Sequence, residues 1–375
     1  MMLVSLGPMA KKLFIAATGQ HKGKTTSTLG IAATLKKRGF KVGYCKPVGQ
    51  NHIIIGDAMV DKDVVLFENI LNFKTVPHLH SPVIISSGVT SEFLENPDQF
   101  TFEAQIQTAQ KYLESHHDII VFEGTGHAGV GSIVNLSNAQ VAKLLGGEVI
   151  IVVEGGIGSA FDQLNMNLAL FREIEVPVKG VIINKVLPEK SKKIERCLTQ
   201  ILTPLNIPIL GLLPYDSVLS YPLVATIKNA VEGRVILNEH KLYNRVEDII
   251  AGSLAAIDDL NFFRNLMLIV NIDNLKKKIQ KIKNKSEKEK FECSPLSGVI
   301  ITSYTKFKTS PSMEHVNDPY LIENEIPLLV TELDTYDTVH AISHLEVKIN
   351  RRTPWKVARA ISLFEENIDI QKILE

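Results

Sequence analysis

The chain has 375 residues, more than one ordinary domain uses, and suits two domains with a core in each. Its 41 Lys and Arg balance 41 Asp and Glu, which excludes a partner recruited by bulk charge: neither nucleic acid nor a membrane surface is expected. Cys45, Cys197 and Cys293 lie far apart with no CxxC pair, which excludes a disulfide framework or a structural zinc and fits a reducing, cytoplasmic compartment. The apolar run after Lys11 and Lys12 ends within about six residues, too short for a signal h-region or a span.

That run, Leu13-Phe14-Ile15-Ala16-Ala17, breaks into Thr18-Gly19-Gln20-His21-Lys22-Gly23-Lys24-Thr25-Thr26. A strand that stops at a Gly-containing loop and restarts as a helix aims backbone N–H groups and a helix dipole at one point, which suits a polyphosphate. Lys24 is expected to reach the β/γ-phosphates and the Thr25 hydroxyl to sit on Mg²⁺. The commonest pattern wants glycine at position 18, where this chain has Thr18 and places Gly19 one later. The spacing of Leu29, Ile31, Ala32 and Leu35 predicts a helix over Thr26–Arg38, closed by basic residues and Gly39.

A second strand, Lys41 to Cys45, leads to Lys46-Pro47-Val48-Gly49-Gln50, and a lysine there faces the crevice where α/β sheets bind ligands. Asp57, Asp61 and Asp63 precede a predicted helix; they are either Mg²⁺ carboxylates or charges complementing the helix dipole. Asp118 to Phe122 is a buried-type strand that delivers Glu123, followed by Gly124-Thr125-Gly126-His127. An apolar run ending in an acid is how a phosphate-loop protein supplies the acidic side of its Mg²⁺ site. His127 is read either as part of a substrate pocket or as a turn residue.

Further units repeat the rhythm: Glu148–Val153 with an amphipathic stretch to about Phe171, Val178–Ile183 ending at Asn184-Lys185, a helix over Lys190–Leu205, and Ile207–Leu213 ending at Pro214. Nearly continuous apolar strands alternating with helices predict an α/β fold with a mostly parallel sheet covered by helices on both faces. The polar landmarks all fall at strand C-termini, so one sheet edge should gather them.

Beyond a helix and connector over Leu223–Tyr243, Val246–Ala256 opens a second, smaller α/β unit. The lysine-dense run Lys276–Lys290 carries no interleaved aromatic residue and reads as a solvated helix. Strands over Gly298–Thr302 and Ile326–Val330 and helices over Asp337–Leu345 and Thr353–Glu365 complete this unit, with Trp355 packed at a helix start.

On Thr18-Gly19 through Gly23-Lys24-Thr25, Lys46-Pro47-Val48, Asp63, Glu123-Gly124 and Asn184-Lys185, the chain resembles the dethiobiotin synthetase-like branch of P-loop proteins. It looks most like the N-terminal and small C-terminal regions of long phosphotransacetylases, without their acetyltransferase domain. The resemblance implies an ATP-binding domain over 10–235 and a small regulatory or dimerisation domain over 240–375. In the latter, the Asp-Arg-Thr-Gly-Gly signature is replaced by Asn271-Ile272-Asp273-Asn274 and Thr302-Ser303-Tyr304. The resemblance further implies ATP on Thr18–Thr26 with Asn184 and Pro214 at the adenine, Mg²⁺ on Thr25, Asp63 and Glu123, and Lys24 and Lys46 as catalytic lysines. Gly124, His127 and Lys46 would then face a small-molecule carboxylate or metabolite. Two functions compete: an ATPase or ATP-dependent ligase transferring a phosphoryl group to a carboxylate or carbamate, and a nucleotide-sensing module without turnover. A homodimer is expected in either case.

Overall fold

The structure, a computed structural model, describes residues 10–252, 264–304 and 317–375. It divides into two compact units, Met1–Asp216 with Ile349–Glu375, and Ser217–Lys348.

The first unit is built on six strands: β1 (Lys11–Ala17), β2 (Val42–Cys45), β3 (Ile119–Glu123), β4 (Glu148–Glu154), β5 (Val178–Val186) and β6 (Ile209–Pro214). They lie in the order β6-β5-β4-β1-β3-β2, and every pairing is parallel. Leu13, Phe14, Ile15 and Ala16, four successive residues pointing alternately to both faces, are all buried, as a parallel sheet covered on both sides requires. Helix α1 (Lys24–Lys37) follows β1, and α2 (Lys62–Leu71) lies between β2 and β3.

Register places the strand ends that matter side by side. Ile15 of β1 pairs with Glu123 of β3, and Cys45 of β2 pairs with Phe122 of β3, so Lys46 emerges next to Glu123. Glu154 of β4 pairs with Asn184 of β5. Asn184 and Lys185 therefore belong to β5 itself and do not follow it.

Two sequence expectations are corrected. Between Lys46 and α2 the chain forms an antiparallel hairpin, His52–Ile55 with Ala58–Asp61, where the sequence suggested only a run leading into a helix. Gly56 takes φ +62° at its tip, which leaves Asp57 exposed there and brings Asp61 back to the base. The second correction concerns the domain limits of 235 and 240. The first unit pauses at Asp216, and the last residues, 349–375, return to it. The helix Pro354–Asn367 packs against α1 so closely that a Cβ on Gly30 would lie 2.1 Å from the Phe364 ring. Ile368 bridges Gly211 of β6, and Arg359 Nε donates to Asp216 at 2.6 Å. Periodicity reveals that this helix has an apolar face but not which surface covers it.

The second unit carries β7 (Arg234–Leu237), β8 (Asp248–Ala251), β9 (Leu266–Val270), β10 (Leu296–Ile301) and β11 (Leu328–Val330). Their order is β7-β11-β10-β9-β8, parallel except for β7 against β11. Strand β7 falls inside the stretch read as helix and connector. The lysine-rich segment is the helix Ile272–Glu289, anchored by buried Leu275, Ile279 and Ile282 with most of its lysines exposed. Residues 253–256 of the segment expected to open this unit lie outside the described residues.

Candidate nucleotide and phosphoryl-transfer site

The loop between β1 and α1 has the geometry expected of a phosphate cradle. Gly23 caps α1 with φ +101°, a conformation glycine adopts without steric cost. A Cβ at this position would also lie 1.8 Å from Asn184 Nδ2. His21 is left-handed as well, at φ +57°. The first-turn amides of Lys24, Thr25 and Thr26 have no intrahelical acceptor and point out of the helix start. The Thr18 hydroxyl is buried with no hydrogen-bond partner, and a Cβ on Gly19 would meet only the flexible Lys22 side chain, at 3.5 Å. A buried hydroxyl with an O–H to donate and an open backbone fit a bound polyphosphate, whose oxygens accept. Gln20 is exposed at the tip, while Lys22 pairs with Glu154 at the end of β4. Glu154 also pairs with Lys185, at 3.0 Å.

From this loop a chain of contacts runs across the sheet edge. Lys24 Nζ donates to the Gly126 carbonyl at 2.7 Å and to the Gly19 carbonyl at 3.2 Å. Thr25 Oγ1 donates to Glu123 Oε1 at 2.9 Å, and Tyr44 OH donates to Glu123 Oε2 at 3.3 Å. Lys46 Nζ lies 3.7 Å from Glu123 Oε1 and 3.8 Å from Asp61 Oδ1, and binds Asp63 directly. Lys46, Asp61 and Glu123 are only 6%, 2% and 1% exposed. Burial pulls the Lys46 ammonium down, but Asp63, Glu123 and Asp61 outweigh it and hold the group charged above the ordinary lysine range. Burial pushes Asp61 and Glu123 above the usual carboxylate range, against the opposing pull of Lys46. Burial likewise raises the Tyr44 phenol and keeps its proton in place to donate.

Thus Lys24 and Thr25 at the start of α1, Glu123 and Lys46 at strand ends, and Asp63 in the first turn of α2 come together. Asn184 is placed against the loop: its Nδ2 donates to the Lys22 carbonyl at 2.9 Å. Gly124 lies at the end of β3, its N–H bonded to the Ile15 carbonyl at 2.9 Å, and has no room for a side chain because a Cβ would lie 2.6 Å from Asn138 Oδ1. His127 is exposed, and its Nδ1 accepts the Gly129 N–H at 3.2 Å, a turn contact. Pro214 ends β6 paired with Val186. Neither His127 nor Pro214 has a side-chain hydrogen bond into the lysine–carboxylate cluster.

Asp61 and Tyr44 were undervalued by sequence reasoning. Asp61 caps α2 by accepting the Asp63 N–H at 3.0 Å, as its position before a helix suggests. The hairpin, invisible in local pattern, is what also turns it toward Lys46. Tyr44 is one residue of an apolar strand, and nothing near it in sequence marks its bond to Glu123.

The oxygen donors on Thr25, Glu123 and Asp63 suit Mg²⁺, which usually takes one or two carboxylates and completes its shell with water and substrate phosphates. Among the described residues no group of three or more His, Cys, Asp or Glu is placed to hold a metal ion.

A parallel sheet centred on β1, a left-handed glycine at the helix start and the Lys24-Thr25 pair facing an acid define a P-loop NTPase-type domain. A family model described as an AAA domain matches residues 11–222, and the chain belongs to that family. The probable cobyric acid synthase of Methanococcus maripaludis is 25% identical over 293 residues, 71% of this chain and 57% of that protein. The phosphate acetyltransferase of Synechocystis sp. is 21% identical over 379 residues, 98% of this chain and 52% of that protein. The chain thus spans about half the length of these curated relatives. Among solved structures, the cobyrinic acid a,c-diamide synthase from Mycobacterium smegmatis aligns at 14% identity and a TM-score of 0.37, covering 56% of this chain and 87% of that one. No helix among the described residues is long and apolar enough to cross a membrane.

Proposed function

We propose that the first unit binds ATP with Mg²⁺ and passes the γ-phosphoryl group to a small carboxylate, a carbamate or water. The observation that carries this reading is the continuous set of contacts from Lys24 and Thr25 through Glu123 to Lys46 and Asp63. Phosphoryl transfer demands in-line positioning and neutralisation of charge. Thr18 to Thr26 would cradle the phosphates, with Asn184 and Pro214 toward the base. Thr25, Glu123 and Asp63 would hold Mg²⁺, which neutralises phosphate charge when bound. Lys24 would face the transferring group, and Lys46, with Gly124 and His127 on the loop after β3, the acceptor.

A second reading, a nucleotide-sensing module without turnover, is favoured by the match to a phosphate acetyltransferase over 98% of this chain. A homodimer suits both readings, since among the described residues β7 and β8 are sheet edges able to pair.

Thermal shift tests the binding step: ATP·Mg²⁺ at about 100 times its dissociation constant adds roughly 2.7 kcal/mol. Lys24→Ala is expected to abolish the shift and leave the unliganded melt nearly unchanged. The same shift in the variant would refute the phosphate-loop assignment. Phosphate release by the nucleotide-saturated protein separates turnover from sensing.

A further inference from the structure

The loop after β3 is held by more than its backbone. Ser137 caps the helix Asn138–Leu145 by accepting the Gln140 N–H at 3.1 Å, while Gln140 Oε1 accepts the Ser137 N–H at 2.9 Å. This capping box fixes the first helical residue, Asn138, which is 4% exposed. Asn138 Oδ1 accepts the Thr125 N–H at 2.9 Å, and Asn138 Nδ2 donates to the carbonyls of Thr125 and His127, each at 2.6 Å. From another helix, Asn167, 8% exposed, accepts the Ala128 N–H at 2.7 Å. Thr125 Oγ1 donates to the Val48 carbonyl at 2.5 Å, which ties the loop to the turn that carries Lys46. Within this clamp the Gly126 carbonyl is left to receive the Lys24 ammonium, at 2.7 Å.

We infer that Asn138, seconded by Asn167, is a positioning residue that holds the Gly126 carbonyl against Lys24 and so sets the approach of that ammonium to the transferring phosphoryl group. The assignment rests on the ATP reading above. Only a carboxamide can serve this position, since it accepts from one N–H and donates to two carbonyls at once. An isosteric carboxylate would keep the first bond and set an oxygen without a proton against two carbonyl oxygens. Loss of these bonds lets the loop and the lysine tie move while the rest of the phosphate cradle stays in place. The cost should therefore fall on the rate rather than on nucleotide affinity.

The experiment measures ATP·Mg²⁺ affinity by calorimetry, single-turnover phosphate release and thermal melting on the full chain, for the wild type, Asn138→Asp and Asn167→Ala. Asn138→Asp is expected to keep affinity within about threefold and to lose about tenfold to a hundredfold in rate. Asn167→Ala, which removes a single acceptor from the loop together with a bond to the Gln163 carbonyl in its own helix, should fall in the same direction by less, and it decides the matter if Asn138→Asp does not fold. Wild-type rates in the folded variants, or rate and affinity falling together in step with stability, would overturn the positioning role alone. A wild type that binds no ATP, or binds it and releases no phosphate, would overturn the phosphoryl-transfer reading and this role with it.

Discussion

Replacing Lys46 by methionine removes an ammonium from among three carboxylates and leaves a side chain of similar length. Asp61 and Glu123 are almost wholly buried around it, so water cannot take its place at low cost. Breaking a buried pair by removing one partner costs about 3–5 kcal/mol. For a domain of this size that amounts to a melting temperature lower by about 6–20 °C, at about 2–4 °C per kcal/mol. The pH dependence has a definite sign. Lys46, raised in the folded state, contributes stability at every pH below the ordinary lysine value of about 10.4 and loses it only as pH rises through the folded value. Asp61 and Glu123 are also raised. Their protonation favours the folded state below the ordinary carboxylate value of about 4, and that contribution is lost as pH rises through their raised values. Without Lys46 both acids rise further, so the deficit of the variant should shrink as pH falls from about 8 toward 5. Melts of both proteins by circular dichroism across that range provide the measurement. A variant within about 2 °C of the wild type at neutral pH, or a deficit that grows on acidification, would refute the reasoning.

Asp63→Asn and Glu123→Gln are each expected to reduce Mg²⁺-dependent ATP hydrolysis more than ATP binding, because metal-held charge is needed most in the transition state; if both hydrolyse at the wild-type rate, the metal ligands lie elsewhere. A chain cut near Lys241, which from the sequence alone would remove only a separate small domain, also strips Phe364 from Gly30 and Arg359 from Asp216. Loss of a buried phenylalanine contact costs about 3–5 kcal/mol, so Phe364→Ala should lower the melting temperature and truncation after Lys348 should yield insoluble protein. Recovery of a soluble, ATP-binding fragment lacking 349–375 would contradict that packing.

The sequence by itself determined the α/β class, the phosphate loop and the strand-end positions of Lys46 and Glu123. These are local properties: a parallel strand needs a continuous apolar run, and the loop needs a residue tolerant of the left-handed conformation at Gly23. The small second unit was also legible as strands alternating with a solvated lysine-rich helix, although β7 was not. Only the tertiary structure decided that β1 lies between β3 and β4, that a hairpin turns Asp61 toward Lys46, and that Asn138 holds the loop from Thr125 to His127. It alone returned the helix Pro354–Asn367 to α1. Each of these depends on a contact between residues far apart in the chain, such as Gly30 with Phe364. Periodicity marks a face as apolar and a residue as polar, whereas the partner that covers or satisfies it is chosen when the whole core packs.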